Sequence, residues 1–188
     1  MMKIGILGGT FDPPHKAHLQ IAERAIKQFD LDKVLFIPSG NPWQKKYATS
    51  FIHRFEMSKI LIECSNKFEI SDIEKSEDIP SYTFETLTKL NHKKDNLYFI
   101  LGSDTAMNIT TWNNYEKLSD LTNFLIALRK EDSVNNLNEN FPFDYELIAG
   151  EKLDLSSTSL RNKLKDNLFN EEEISLKIIQ YIKKNSLY

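Results

Sequence analysis

The chain has 188 residues, 40% hydrophobic and 11% aromatic, enough for one well-packed core; at about 100–200 residues per domain it is expected to form a single domain over 1–188. Lys and Arg number 24 against 27 Asp and Glu, a formal net charge of -3, which excludes an overall electrostatic pull toward nucleic acid or an anionic membrane and makes any phosphate site a local one. The single cysteine, Cys64, lies in an apolar stretch and reads as a buried, inert thiol, excluding intrachain disulfides and cysteine-rich metal sites, and the absence of a signal-peptide core or a span of about 20 apolar residues reads as cytoplasmic.

Short apolar runs alternate with segments of helical period, the pattern of an α/β fold with a central, mainly parallel sheet covered by helices on both faces. Lys3 to Leu7 predicts the first strand, and Ile21, Ala22, Ala25, Ile26 and Phe29 mark the helix after it, with Asp30 and Asp32 at its exit. Val34 to Ile37 is the second strand, broken by Pro38-Ser39-Gly40-Asn41-Pro42 into a loop carrying Lys45 and Lys46. Phe51, Phe55 and Ile62 then fall on a helix, Phe68 and Ile70 on a short strand, and Phe84, Leu87 and Leu90 on another helix. Leu97 to Leu101 and Phe124 to Leu128 are strands, with Glu146 to Ile148 a fifth main run. The polar, Asn-rich stretch Glu131 to Asn140 reads as a surface loop. Leu160 to Lys165 and the apolar face Ile174, Ile178, Ile179 and Ile182 predict the two closing helices.

Three clusters carry chemistry. The first, Gly8-Gly9-Thr10-Phe11-Asp12-Pro13-Pro14-His15-Lys16-Ala17-His18, follows the first strand. Gly8 and Gly9 are expected in the turn into the helix, where missing Cβ atoms admit a ligand to the backbone and positive φ costs little. His15 and His18, at i and i+3, share one face of the helix start. One of them could be only a cap, and a pair could hold a metal, but no third ligand stands at suitable spacing, so phosphate binding is favoured and no residue is assigned to a metal. Neither a G-x-G-x-x-G nor a P-loop pattern is present.

The second cluster, Ser156-Ser157-Thr158-Ser159-Leu160-Arg161, offers hydroxyls to cap a helix and an arginine one turn inside it. Alone it reads as an ordinary cap with a solvated arginine; with the first cluster it reads as a second anion site for a triphosphate. The third, Gly102-Ser103-Asp104, sits at the carboxyl end of a strand, where Asp104 suits ribose hydroxyls or, more plainly, caps a helix. Trp112 either stacks on a planar ring or packs in the core.

Together these stretches resemble the HxGH nucleotidyltransferase superfamily, and within it the bacterial nicotinate-nucleotide adenylyltransferases. Gly8 to His18 is similar to the signature G-G-T-F-D-P-x-H-x-G-H, and Ser156 to Arg161 to I-S-S-T-x-I-R. Ser81-Tyr82-Thr83-Phe84-Glu85-Thr86-Leu87, Gly102 to Asp104 with Trp112 and Tyr115, and the ending Ile182 to Tyr188 carry the subfamily. The resemblance implies a Rossmann-like domain that transfers the adenylyl group of ATP to nicotinate mononucleotide, giving nicotinate adenine dinucleotide and pyrophosphate in NAD biosynthesis. It implies His15, His18 and Arg161 as catalytic groups, and Gly8, Gly9, Thr10, Phe11, Ser156, Ser157, Thr158 and Arg161 as the ATP site. Lys45, Tyr82, Thr83, Gly102, Asp104 and Trp112 would hold the pyridine nucleotide, with Mg²⁺ carried mainly by the ATP phosphates.

The sequence departs from the pattern twice. Ala17 replaces the glycine of H-x-G-H, adding a methyl where backbone would pass close to the nucleotide. Trp43-Gln44 replaces Pro-His in the P-P-H-K stretch, which leaves the role of Lys45 less secure and Lys46 as its substitute. The alternatives are an adenylyltransferase for nicotinamide mononucleotide or phosphopantetheine, or a catalytically silent nucleotide-binding sensor. No nucleic acid or membrane partner is expected, and a homo-oligomer is left open.

Overall fold

The apolar runs assemble as six parallel strands in the order β3-β2-β1-β4-β5-β6. They are β1 (Ile4–Gly9), β2 (Lys33–Pro38), β3 (Phe68–Ile70), β4 (Leu97–Gly102), β5 (Asn123–Ala127) and β6 (Glu146–Leu147). The computed structural model describes every residue except Met1, Lys46, Tyr47, Leu153 and Asn167, so the expectation for Lys46 lies outside the described residues.

Successive side chains of a strand point to opposite faces, and each face here has its own apolar layer. Leu7, Val34, Phe36, Ile100 and Leu125 face one side, while Ile4, Ile6, Ile37, Phe99 and Ile126 face the other. The first layer is closed by α1 (Lys16–Phe29), α2 (Phe51–Ile62), α7 (Ser157–Lys165) and α8 (Leu176–Lys184) through residues such as Ala22, Met57, Leu160 and Ile178. The second is closed by α3 (Thr83–Leu90), α4 (Ser103–Ala106), α5 (Leu118–Leu121) and α6 (Val134–Asn140) through Leu87, Ala106, Leu118 and Leu137. Asp30, with φ of 52°, ends α1 in the left-handed conformation that a helix C-terminus favours. From β1 the chain builds outward through β2 to β3, then returns to the other side of β1 for β4. The carboxyl ends of β1 and β4 therefore flank a topological switch point, where open α/β sheets bind ligands.

Three expectations are corrected. Gly8 and Gly9 are not in the turn: they are the last residues of β1, paired with Ile37 and Pro38 of β2, and neither has positive φ. The left-handed position falls instead on Phe11, at φ 50°, whose ring lies so close to Gly9 that a Cβ there would stand 3.2 Å from it. The Asn-rich stretch is not wholly a loop, because Ser133 caps α6 by accepting from the Asn136 N–H and Leu137 buries completely. Cys64 is exposed rather than buried: the inward stripe of α2 ends with Leu61 and Ile62, and the chain turns outward at Glu63.

The loop after β2 lies flush on the segment that follows β3. A Cβ on Gly40 would stand 1.8 Å from the Glu74 carbonyl oxygen and 2.2 Å from that of Ser76, both backbone atoms with little room to retreat. Gly40→Ala should therefore lower unfolding stability by about 1–3 kcal/mol or more, as overpacking does, measured as a reduced urea midpoint at unchanged slope.

Candidate active site

β1 delivers the first cluster straight to the switch point, and α1 begins with His15 as its N-cap residue and His18 three positions on. The two imidazoles stack with centroids 3.8 Å apart and planes 29° apart, and Phe11 supports the His18 ring edge-on at 4.9 Å. The His15 backbone N–H donates to His18 Nδ1 at 3.2 Å. With Nδ1 accepting, the neutral His18 ring carries its proton on Nε2, leaving an N–H donor at the helix start, where the Lys16 N–H is already given to the Glu173 carbonyl and the His18 N–H to that of His15. Desolvation, then the neighbouring Arg129 guanidinium, pushes the His18 pKa down to about 3. His15, buried with Nδ1 unpartnered, is lowered well below the usual imidazole value by desolvation first and then by His18 and Arg129. Both rings are thus neutral at pH 7 in the free protein, and a polyanion in front of them favours their donor forms.

Ala17 lies between the histidines in sequence but not in space. At the second helical position it turns toward the sheet and is 2% exposed in the core, so its methyl does not enter the space in front of His15 and His18. Ala17 does not line the cavity.

A cavity of about 380 Å³ opens over the carboxyl ends of the strands, within the size range of small-molecule sites. One wall is Gly8, Gly9, Thr10, Phe11, His15 and His18. Ser156, Ser157 and Thr158 bring the start of α7 to its edge; Ser156 caps that helix by accepting from the Ser159 N–H, and Ser157 Oγ donates to the Pro13 carbonyl at 2.9 Å. Gly102, Asp104 and Trp112 form the wall beyond β4, and Tyr82 and Thr83 the start of α3. The structure thus brings together every expected site residue except Arg161, which does not line the cavity. Its guanidinium donates instead to the Asp12 carbonyl at 2.7 Å and to Thr158 Oγ1 at 3.2 Å, at the rim.

Asp104 lies in the first turn of α4 rather than at its cap, which is Gly102, and its Oδ1 accepts from Arg129 Nε at 3.3 Å. Trp112 packs edge-on against Phe99 at 6.1 Å and also lines the cavity. The Trp43-Gln44 departure crosses the mouth. Trp43 meets Tyr82 edge-on at 6.0 Å, Gln44 Nε2 donates to Thr111 Oγ1 at 2.9 Å, and Lys45 stays exposed on the lining.

Three residues of the site escaped the sequence reading. Arg129 follows β5 and links both halves of the cavity, since its Nη1 donates to the Leu155 carbonyl at 2.5 Å while Nε meets Asp104. Its place at a strand's carboxyl end, the signal used for Gly102, was available. Glu74 lines the cavity beside Thr86, whose Oγ1 donates to it at 2.6 Å, and burial pushes its carboxyl pKa upward. Arg54 is 1% exposed and donates to four carbonyls: Thr49 (2.5 Å), Thr10 (2.9 Å), Ser39 (2.6 Å) and Gly40 (3.0 Å). A charged residue inside a helix carries no sequence signal for such a role.

The cytidylyltransferase-like family profile matches residues 6–163, which include both signature segments up to Arg161. The "probable nicotinate-nucleotide adenylyltransferase" of Clostridium novyi is 39% identical, over 93% of this chain and 91% of that protein. The protein of the same description from Clostridium tetani is 38% identical with complete coverage of both chains. Among solved structures, Plasmodium falciparum nicotinic acid mononucleotide adenylyltransferase complexed with NaAD superposes with a TM-score of 0.84 at 28% identity, covering 100% of this chain and 98% of that one. By sequence over nearly its full length and by fold, the chain belongs to the cytidylyltransferase-like family and, within it, to the nicotinate-nucleotide adenylyltransferases.

Proposed function

We propose that residues 1–188 work as a single cytoplasmic nucleotidyltransferase domain that joins ATP and nicotinate mononucleotide into nicotinate adenine dinucleotide, releasing pyrophosphate. The observation that carries this is one cavity in which the His15–His18 pair and the Asp104–Trp112 wall face the same space. A triphosphate fits between the start of α1 and the start of α7, where the His15 and His18 rings and the favourable ends of two helix dipoles coincide. The Asp104 carboxylate suits the hydroxyls of a ribose. Trp112 offers a ring face for the pyridine, and the N–H groups at the start of α3, beside Tyr82 and Thr83, suit a carboxylate more than an amide.

The 5′-phosphate of the mononucleotide attacks the α-phosphorus of ATP; a new P–O bond forms as the bond to the β-phosphate bridging oxygen breaks, and pyrophosphate leaves with that electron pair. A phosphate monoester with a second pKa of about 6 is already mostly dianionic at pH 7, so the nucleophile needs no base. The work left is positioning and charge stabilisation. His18 Nε2–H and the His15 ring meet the phosphoryl oxygens where charge builds, and Arg161 and Lys45 add positive charge at the rim and mouth. Among the described residues no group of three or more His, Cys, Asp or Glu converges as a metal cage, and the Asp12 carboxylate is engaged by Tyr188 and Thr49, a donor set that fits Mg²⁺ carried by phosphates and water. Bound there, Mg²⁺ would neutralise triphosphate charge.

The test is pyrophosphate release from ATP and Mg²⁺ with nicotinate mononucleotide, nicotinamide mononucleotide or phosphopantetheine supplied separately; release is expected with the first, and its absence with all three rejects the assignment. His18→Ala should reduce kcat by about 10²-fold or more, the usual loss when a donor to the transition state is removed. Unchanged turnover would take His18 out of the chemistry. Trp112→Ala should raise KM for the mononucleotide while leaving KM for ATP within about twofold, because stacking is a ground-state contact with one substrate only. Equal rises for both substrates would count against stacking.

A further inference from the structure

Asp12 sits in the middle of the glycine–histidine segment, yet its side chain faces away from the cavity, 4% exposed. One carboxylate oxygen, Oδ1, accepts from the Tyr188 hydroxyl at 2.5 Å, and the other, Oδ2, from the Thr49 N–H at 3.1 Å. Tyr188 arrives there because the chain turns sharply after α8: the Ser186 and Leu187 N–H groups bond back to the Lys183 and Ile182 carbonyls, and Ser186 takes a left-handed φ of 52°. The backbone carbonyl of the same Asp12 is the acceptor that holds Arg161 Nη1 at 2.7 Å. The next carbonyl, on Pro13, takes Ser157 Oγ at 2.9 Å, and two residues further the chain reaches His15. One short loop thus receives α7 on its carbonyls and the end of α8 on its carboxylate, and it presents the two groups expected to meet the triphosphate.

We propose that Tyr188 is a positioning residue for adenylyl transfer: its hydroxyl holds the Asp12 carboxylate, and through Asp12 it sets the Arg161 guanidinium and the imidazole pair of His15 and His18. Tyr188 never touches substrate in this arrangement. Burial and the adjacent Asp12 charge drive its phenol pKa upward, so the hydroxyl remains a donor throughout the pH range of activity. Without that hydroxyl, Oδ1 is left buried and short of a donor, and the loop must shift to rehydrate it. The inference rests on the adenylyltransferase reading for its kinetic consequence and on the hydrogen bonds alone for its structural one.

Tyr188→Phe removes only the hydroxyl and keeps the ring, so the protein should still fold, with a melting temperature lowered by only a few degrees for the lost bond to a buried carboxylate. It should lower kcat about tenfold while KM for nicotinate mononucleotide changes less than about twofold, the split expected when transition-state alignment is disturbed and binding is not. Asp12→Ala, alone and combined with Tyr188→Phe, should complete a non-additive cycle in which the double variant loses no more kcat than Asp12→Ala alone. In the free protein, the imidazole resonances of His15 and His18 should shift in Tyr188→Phe while those of His92 stay in place. Unmoved His15 and His18 resonances, an unchanged kcat, or additive losses would each overturn the proposal. Failure of the parent protein to form dinucleotide would overturn the function instead, with the resonance comparison still deciding whether Tyr188 positions the pair.

Discussion

The loops that bound the cavity after β1 and β2 are held by a guanidinium that never reaches it. Arg54 is buried in α2 and directs its donors at the carbonyls of Thr10, Ser39, Gly40 and Thr49, which belong to the loops after β1 and β2 and to the approach to α2 itself. Desolvating a guanidinium costs several kcal/mol, and charge-assisted bonds of about 1.5–3 kcal/mol each offset that cost only when the fork is filled. Arg54 makes four such bonds, with Asp12 and Glu77 near enough to contribute negative charge. The result is a fixed spacing between chain segments whose own sequences, rich in Gly, Pro and Ser, would otherwise allow many.

That rigidity matters because the chemistry assigned to the cavity relies on preorganised donors. Neutral imidazoles stacked on one another are costly to charge together, and desolvation deepens the cost. A polyanion in front of them opposes that cost by its charge, favouring the imidazoles' donor forms only while it is bound. A chain with a net charge of -3 can in this way bind a highly charged nucleotide without a broad basic surface that would also attract nucleic acid.

The two departures from the family pattern have different physical weights. Ala17 adds its methyl to the core side of α1, where an alanine improves helix propensity over glycine and touches no ligand space. Trp43 and Gln44 act at the mouth. They tie the loop after β2 to Tyr82 and Thr111, and so shape the mouth of the cavity.

The order of strands and helices could be read from the sequence because parallel strands buried on both faces are continuous apolar runs, and the helices covering them keep a one-sided stripe. The two clusters proposed to hold phosphate were legible for a similar reason: glycine before paired histidines, and hydroxyls before an arginine, are local patterns with local chemistry. Phe11 rather than Gly8 or Gly9 taking positive φ was not legible, since strand pairing to Pro38 extends β1 two residues farther than its apolar run. Nor was α6, where one serine cap and one buried leucine outweigh a polar composition. Arg54, Arg129 and Glu74 carry no motif of their own; each matters through partners as far as 44 residues away or, for Glu74, through a shared wall. Local pattern alone determined the α/β class, the histidine pair and the hydroxyl-rich cap before Arg161. Which side of α1 Ala17 faces, where Arg161 anchors, and that Tyr188 closes on Asp12 were decided only by tertiary structure, because those hydrogen bonds and packing faces exist only once distant segments are brought together.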